Sequence, residues 1–133
     1  MLDRPLYIID GYNFILRLLP IDPSQEHALW DAREKLVHQM IVYLGQKNIG
    51  IHIVFDGQDV KGIAQSRYPA GIKVQFSNAP EKADASIINL VQKSKSRNIT
   101  VVTSDKPLAN SCASYGCTIM SVETFANKMA QDH

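Results

Sequence analysis

Cysteine is scarce in this 133-residue chain, tryptophan occurs once, and acids and bases nearly cancel to a formal net charge of +1. Each scarcity excludes something. Two cysteines, Cys112 and Cys117, do not make a secreted disulfide scaffold. Four residues separate them and no histidine lies nearby, a poor zinc signature. The histidines, His27, His38, His52 and His133, form no spaced ligand set. Near-neutral charge removes any general pull toward nucleic acid, so a polyanion would have to be gripped by a local basic patch. No apolar run approaches the length of a membrane span, which argues against a membrane partner. Met1-Leu2-Asp3-Arg4-Pro5 lacks the basic-then-apolar blocks of a signal peptide, and the expected location is cytoplasmic.

What is present is an ordinary globular composition, 45% hydrophobic and 20% charged, expected to form a single domain over residues 1–133. Strand-like runs alternate with helix-length segments. Leu6 to Ile9 reads as a buried strand. Ala28 to Lys47 reads as a helix, with Leu29, Leu36, Met40 and Leu44 at helical spacing and Arg33, Glu34, Lys35 and Gln39 mostly between them. Ile51–Phe55, Ile72–Phe76, Ile99–Thr103 and Cys117–Met120 read as further strands. Helices are expected from Pro80 to about Arg97, over Lys106–Tyr115 and over Val122–Ala130, and a loop from Gly57 to Gly71. This alternation predicts an α/β fold, with a parallel sheet of about five strands covered by helices on both faces.

Three of the strands run into an aspartate: Asp10, Asp56 and Asp105. In a parallel sheet with right-handed crossovers these acids reach one edge, where such folds place their sites. On the following helix, Glu81, Asp84, Ile88 and Val91 are spaced to share a face. With Ile88 and Val91 toward the sheet, Glu81 and Asp84 would extend the buried stripe to the strand tips. Converging carboxylates without a matching arginine repel, and a hard cation such as Mg²⁺ relieves the conflict. Each acid also has an ordinary explanation. Asp10-Gly11 and Asp56-Gly57 are turn dipeptides. Asp105 suits a helix cap, and Glu81 and Asp84 suit a helix N-terminus. Asn13 either meets a phosphate or metal-bound water or caps a short helix. Ser104 either meets such a water or ties down its turn.

Asp10-Gly11-Tyr12-Asn13 resembles the opening of NYN domains in the PIN-like nuclease superfamily. Phe55-Asp56-Gly57, Glu81-Lys82-Ala83-Asp84 and Val102-Thr103-Ser104-Asp105 follow in matching order, and the pattern is most similar to the bacterial YacP-like branch. That branch includes an endoribonuclease associated with ribosomes. The resemblance implies a three-layer PIN-like domain and a Mg²⁺- or Mn²⁺-dependent site that hydrolyses single-stranded RNA, with ribosome-associated mRNA as a substrate pool. It implies Asp10, Asp84 and Asp105 as catalytic, metal-holding acids, Glu81 as a further ligand, and Asn13, Ser104 and Asp56 as supports. Many relatives carry another acid just after the Ser-Asp pair, whereas here Pro107 follows two residues on; some have a second acid where Ala85 stands.

RNA contacts are expected from Lys61, Arg67, Lys73, Lys82 and Lys106 on phosphates and from Tyr12 and Tyr68 on bases. Two other classes compete. A non-catalytic RNA- or ribosome-binding module would keep the fold and lose part of the metal set. A Rossmann-type nucleotide binder would need a glycine-rich phosphate loop after the first strand, and that stretch offers an acid instead.

Overall fold

The computed structural model describes residues 4–19, 21–22, 24–56, 68–77, 82–94 and 98–132. The elements run β1 (Leu6–Asp10), α1 (Gly11–Leu18), α2 (Glu26–Leu44), β2 (Gly50–Phe55), β3 (Ile72–Phe76), α3 (Ala83–Lys93), β4 (Ile99–Val102), α4 (Lys106–Ala113), β5 (Thr118–Met120) and α5 (Val122–Gln131). All pairings are parallel, in the order β3-β2-β1-β4-β5. The order reverses between β1 and β4, so the crevice above those two strands is the expected ligand position.

Strand side chains alternate, and the two faces sort the core into two layers. Ile9, Ile53, Phe55 and Val102 pack under α1, α2 and α5, against Phe14, Ile15, Leu36, Met40 and Phe125. Ile8, Val54 and Val101 pack under α3 and α4, against Ala83, Ile87, Val91, Leu108 and Cys112. Burial on both faces is why these strands read as near-continuous apolar runs. Among the described residues no helix is long and apolar enough to cross a membrane.

Two expectations need correction. In α3 the buried stripe is Ala83, Ser86, Ile87 and Val91, while Ile88 is only half-buried and Asp84 is exposed. Val91 faces the sheet as expected, but the rest of the stripe runs through Ala83 and Ile87 instead of Asp84 and Ile88. In α2, Arg33 does not fall on the solvated side but is buried. The helix packs broadly enough to take in both Ala32 and Arg33, and aromatic rings from distant elements cover the arginine. Element ends differ by a few residues, as where Cys117 precedes β5 rather than opening it. The helix α1 was not delimited in advance. It starts at Gly11 with no intervening loop, and glycine is required there because a β-carbon would collide with the buried Phe55 ring.

Candidate active site

Asp10 ends β1 and is buried, with 8% of its surface exposed. Ile8 pairs with Val101 and Ile9 with Val102 across the switch point. Continuing that register by one rung brings Thr103 beside Asp10, and the Thr103 hydroxyl donates to Asp10 Oδ2 at 2.9 Å. The same Thr103 oxygen accepts from the Asp105 backbone N–H at 3.1 Å, which shapes the turn that carries Asp105. Burial pushes the Asp10 carboxyl up to about 6. The hydrogen bond from Thr103 and the Asn13 amide pull it back, and the charges of Asp105 and Asp56 push it further up. Asp10 stands at the N-cap position of α1, so its carboxyl faces both the Asn13 amide of the first helical turn and the Thr103 hydroxyl.

The other acids are partly engaged. Asp105 Oδ1 accepts from Leu108 N at 3.2 Å and caps α4, whose first turn holds Pro107. Asp56 does more than turn the chain. Its Oδ1 accepts from Ala83 N at 2.7 Å, supplying from β2 the cap that Lys82 does not give α3. Asp56→Ala is therefore expected to lower stability by about 1 kcal/mol, with Asp56→Asn losing less because the amide oxygen still accepts. Chemical denaturation of the three proteins checks this, and an alanine variant as stable as wild type would remove the capping role. Asp84 lies in the first turn of α3, on the same sheet edge but turned outward.

Asn13 is the second residue of α1 after Gly11 to face the site. Its Oδ1 accepts from Ser104 N at 2.7 Å, fixing the 103–105 turn to α1. Ser104 Oγ accepts from Val122 N at 3.1 Å and donates to Glu123 Oε1 at 3.0 Å. Arg17 closes this chain with a 2.6 Å ion pair to Glu123 Oε2, which holds the Glu123 carboxyl below its ordinary range. Thr103, Glu123, Arg17 and Arg33 were all missed in the sequence. Thr103 was legible from strand alternation, because it has the parity of Val101. Glu123 and Arg17 meet only through the packing of α5 on α1, for which no local signal exists.

The expected RNA contacts fare unevenly. Lys82 and Lys106 are exposed beside the starts of α3 and α4, at the acidic edge. Lys73 pairs with His52, three residues before the end of β3, and so lies roughly 10 Å down the edge strand. Tyr12 packs on Phe55 with ring centroids 5.4 Å apart and accepts from Arg33. Tyr68 packs against the α1/α2 layer of the core. Glu81, Lys61 and Arg67 lie outside the described residues, as does most of the expected 57–71 loop.

The donor chemistry fits a hard cation. Asp10 is a buried carboxylate pressed by the charges of Asp105 and Asp56, and a cation beside it would relieve that conflict. Among the described residues, however, no three His, Cys, Asp or Glu side chains are grouped closely enough to hold an ion. The cysteines play no part. Both are free thiols, Cys117 donates to the Cys112 carbonyl at 3.0 Å, and burial pushes Cys112 up to about 11.

A five-stranded parallel sheet with helices on both faces and acids at the switch-point edge is a PIN-like fold. A family model described as the YacP-like NYN domain matches residues 7–133, and the chain belongs to that family. The protein YacP of Bacillus subtilis strain 168, named as uncharacterized, is 28% identical over 102 residues, 75% of this chain and 60% of that protein. The chain thus spans about three fifths of the length of this relative. A crystal structure of Rae1 (YacP) from Bacillus subtilis superposes with a TM-score of 0.74 at 25% identity, covering 96% of this chain and 74% of that one. A point mutant of the same protein gives 0.75 at 22% identity, covering 96% and 75%.

Proposed function

We propose that this chain is a metal-dependent endoribonuclease that hydrolyses phosphodiester bonds in single-stranded RNA. The observation that carries the reading is Asp10, a buried carboxylate at the switch point, held by Thr103 and pressed by like charges. A metal ion in this position would be Mg²⁺ or Mn²⁺, held by Asp10 and Asp105 with Asp84 and Glu81 contributing from the α3 side. When bound, such an ion polarises the phosphate and supplies an activated water.

The chain's own residues do the rest. Thr103 and the Asn13 amide together fix the orientation of the Asp10 carboxyl. Asn13 locks the Ser104 amide and thereby the position of Asp105. Glu123, anchored by Arg17, keeps a further carboxylate next to the Ser104 hydroxyl. Lys82 and Lys106 stand where a strand crossing the acids would lay its phosphates.

A second reading has one observation in its favour: the described acids do not close into a three-ligand set. A non-catalytic RNA-binding module would look like this. Cleavage of mixed RNAs and of translating ribosomes by purified protein, in Mg²⁺, Mn²⁺ or chelator, separates the two. The nuclease is expected to cut with either ion and not in chelator, and Asp84→Asn and Asp105→Asn are each expected to lose roughly a hundredfold or more. RNA binding without metal-dependent cleavage under any of these conditions would establish the module instead.

A further inference from the structure

Arg33 is the one charge in the described structure that is deeply buried without an acid. It is 4% exposed. Ion pairs among the described residues join Arg17 to Glu123, His27 to Asp31 and Lys128 to Asp132, and none includes Arg33. One terminal nitrogen donates to the Tyr12 hydroxyl at 2.8 Å, while the buried Nε–H has no hydrogen-bond partner among the described residues. The guanidinium carbon lies 6.0 Å from the Tyr12 ring centre and 5.9 Å from that of Phe76. A guanidinium serving only the fold would normally be paired or left in water, because burying it unpaired is costly.

Its place in the fold is informative. Tyr12 stands two residues after Asp10, and Phe76 ends β3, so Arg33 sits at the acidic edge on its β2–β3 side. The helix α2 runs from that edge toward the start of β2, and Trp30 lies one turn nearer the edge than Arg33. Trp30 is the sole tryptophan of the chain and is 44% exposed. An exposed indole beside a ring-clamped guanidinium is a combination suited to a nucleic-acid strand, one stacking a base and the other taking a phosphate.

We propose that Arg33 is a receptor for a phosphate group, offering the Nε–H and its neighbouring terminal nitrogen as a two-pronged fork while the Tyr12 hydroxyl occupies the other nitrogen. The fork geometry matches a phosphate, and the two flanking rings orient it. Tyr12 and Phe76 are both half-buried, so the rings beside the fork themselves reach the surface, and entry of the ligand requires one of them to turn aside. The proposal rests on the nuclease reading only in taking RNA as the source of the phosphate.

The test is binding in chelator, where no cleavage intervenes. Wild type and Arg33→Met are titrated with a single-stranded oligoribonucleotide, with the same oligonucleotide bearing a 5′-phosphate, and with inorganic phosphate alone, following Trp30 fluorescence. Thermal melts are run alongside. Arg33→Met is expected to be at least as stable as wild type, because an apolar side chain replaces an unpaired charge. Its RNA affinity should fall ten- to a hundredfold, and the slope of affinity against salt should drop by about 0.7. Equal losses on both oligonucleotides assign an internal phosphate, and a larger loss on the 5′-phosphorylated one assigns the terminus. Wild-type affinity for all three probes in a folded Arg33→Met overturns the proposal, as does an affinity loss matched by a lower melting temperature. Should Arg33→Met not fold, Arg33→Lys carries the test. It keeps the charge without the fork and is expected to bind RNA several-fold more weakly at unchanged stability, whereas wild-type affinity there overturns the proposal. A protein that never cleaves RNA but loses affinity on Arg33→Met sinks the nuclease reading alone. A cleaving enzyme whose Arg33→Met binds RNA normally sinks the receptor alone.

Discussion

Asp10→Asn is expected to reduce RNA cleavage roughly a thousandfold or more and, without metal, to make the protein more stable at neutral pH. The two effects share one cause. In the folded protein the Asp10 carboxyl titrates at about 6, against an ordinary 3.8. Between these values the folded state holds a proton that the unfolded chain has released. The contribution of Asp10 to stability is therefore fully present below pH 4 and is lost as the pH rises toward and through 6. Above that, the accumulated loss is at most about 3 kcal/mol. Asparagine keeps an acceptor for the Thr103 hydroxyl and escapes the loss. Its advantage should be on the order of 1–3 kcal/mol at pH 7.5 and close to nothing at pH 4. Mg²⁺ should stabilise wild type by mass action, less so below pH 6 where protons compete, and should stabilise the variant little. Melts at both pH values in chelator and in Mg²⁺ decide the matter. A gap that is the same at pH 4 and 7.5 would show that burial of a charge at Asp10 is not the source.

The largest loss of stability is expected from Phe125→Ala, about 3–5 kcal/mol. Phe125 is fully buried, with ring contacts to Tyr7 at 5.2 Å, Tyr43 at 5.7 Å and Phe14 at 6.4 Å. It thus joins α5 to β1, α2 and α1 at one point. A domain of this size has a total stability of about 5–15 kcal/mol, so the cavity would consume a large share of it. The consequence reaches the site, because Val122 and Glu123 on the same helix hold Ser104. Phe125→Leu should retain most of the stability. Urea denaturation with a cleavage assay at low temperature checks both parts. A cost below about 1 kcal/mol would mean that α5 is not anchored through this ring.

How far the site could be read in advance depended on how local its causes are. The three strand-end aspartates were legible because a parallel sheet sends every carboxyl end to one edge, and the charges of Asp56 and Asp105 do press on Asp10. The phase of α3 was misread because its true stripe begins with Ala83 and Ser86, too small and polar to mark a face. Placing Asp84 on that stripe made it look more buried than it is. Asp56 looked like a turn residue because its partner, the Ala83 amide, lies 27 positions away. Arg33 looked solvated because nothing near it in the chain announces Tyr12 and Phe76, its two neighbours in space.

The strand order has a consequence for synthesis. β1 emerges first from the ribosome, yet it occupies the middle of the sheet and pairs with β2 and β4. Asp10 gains Thr103 and Asp105 as neighbours only once β4 is made, and Ser104 gains its brace only once α5 follows. An incomplete chain therefore carries its first acid without the rest of the acidic edge. Long-range parallel pairing of this sort also forms slowly. Up to that point in synthesis, Asp10 stands in the chain without Thr103, Asp105 or the Ser104 brace beside it.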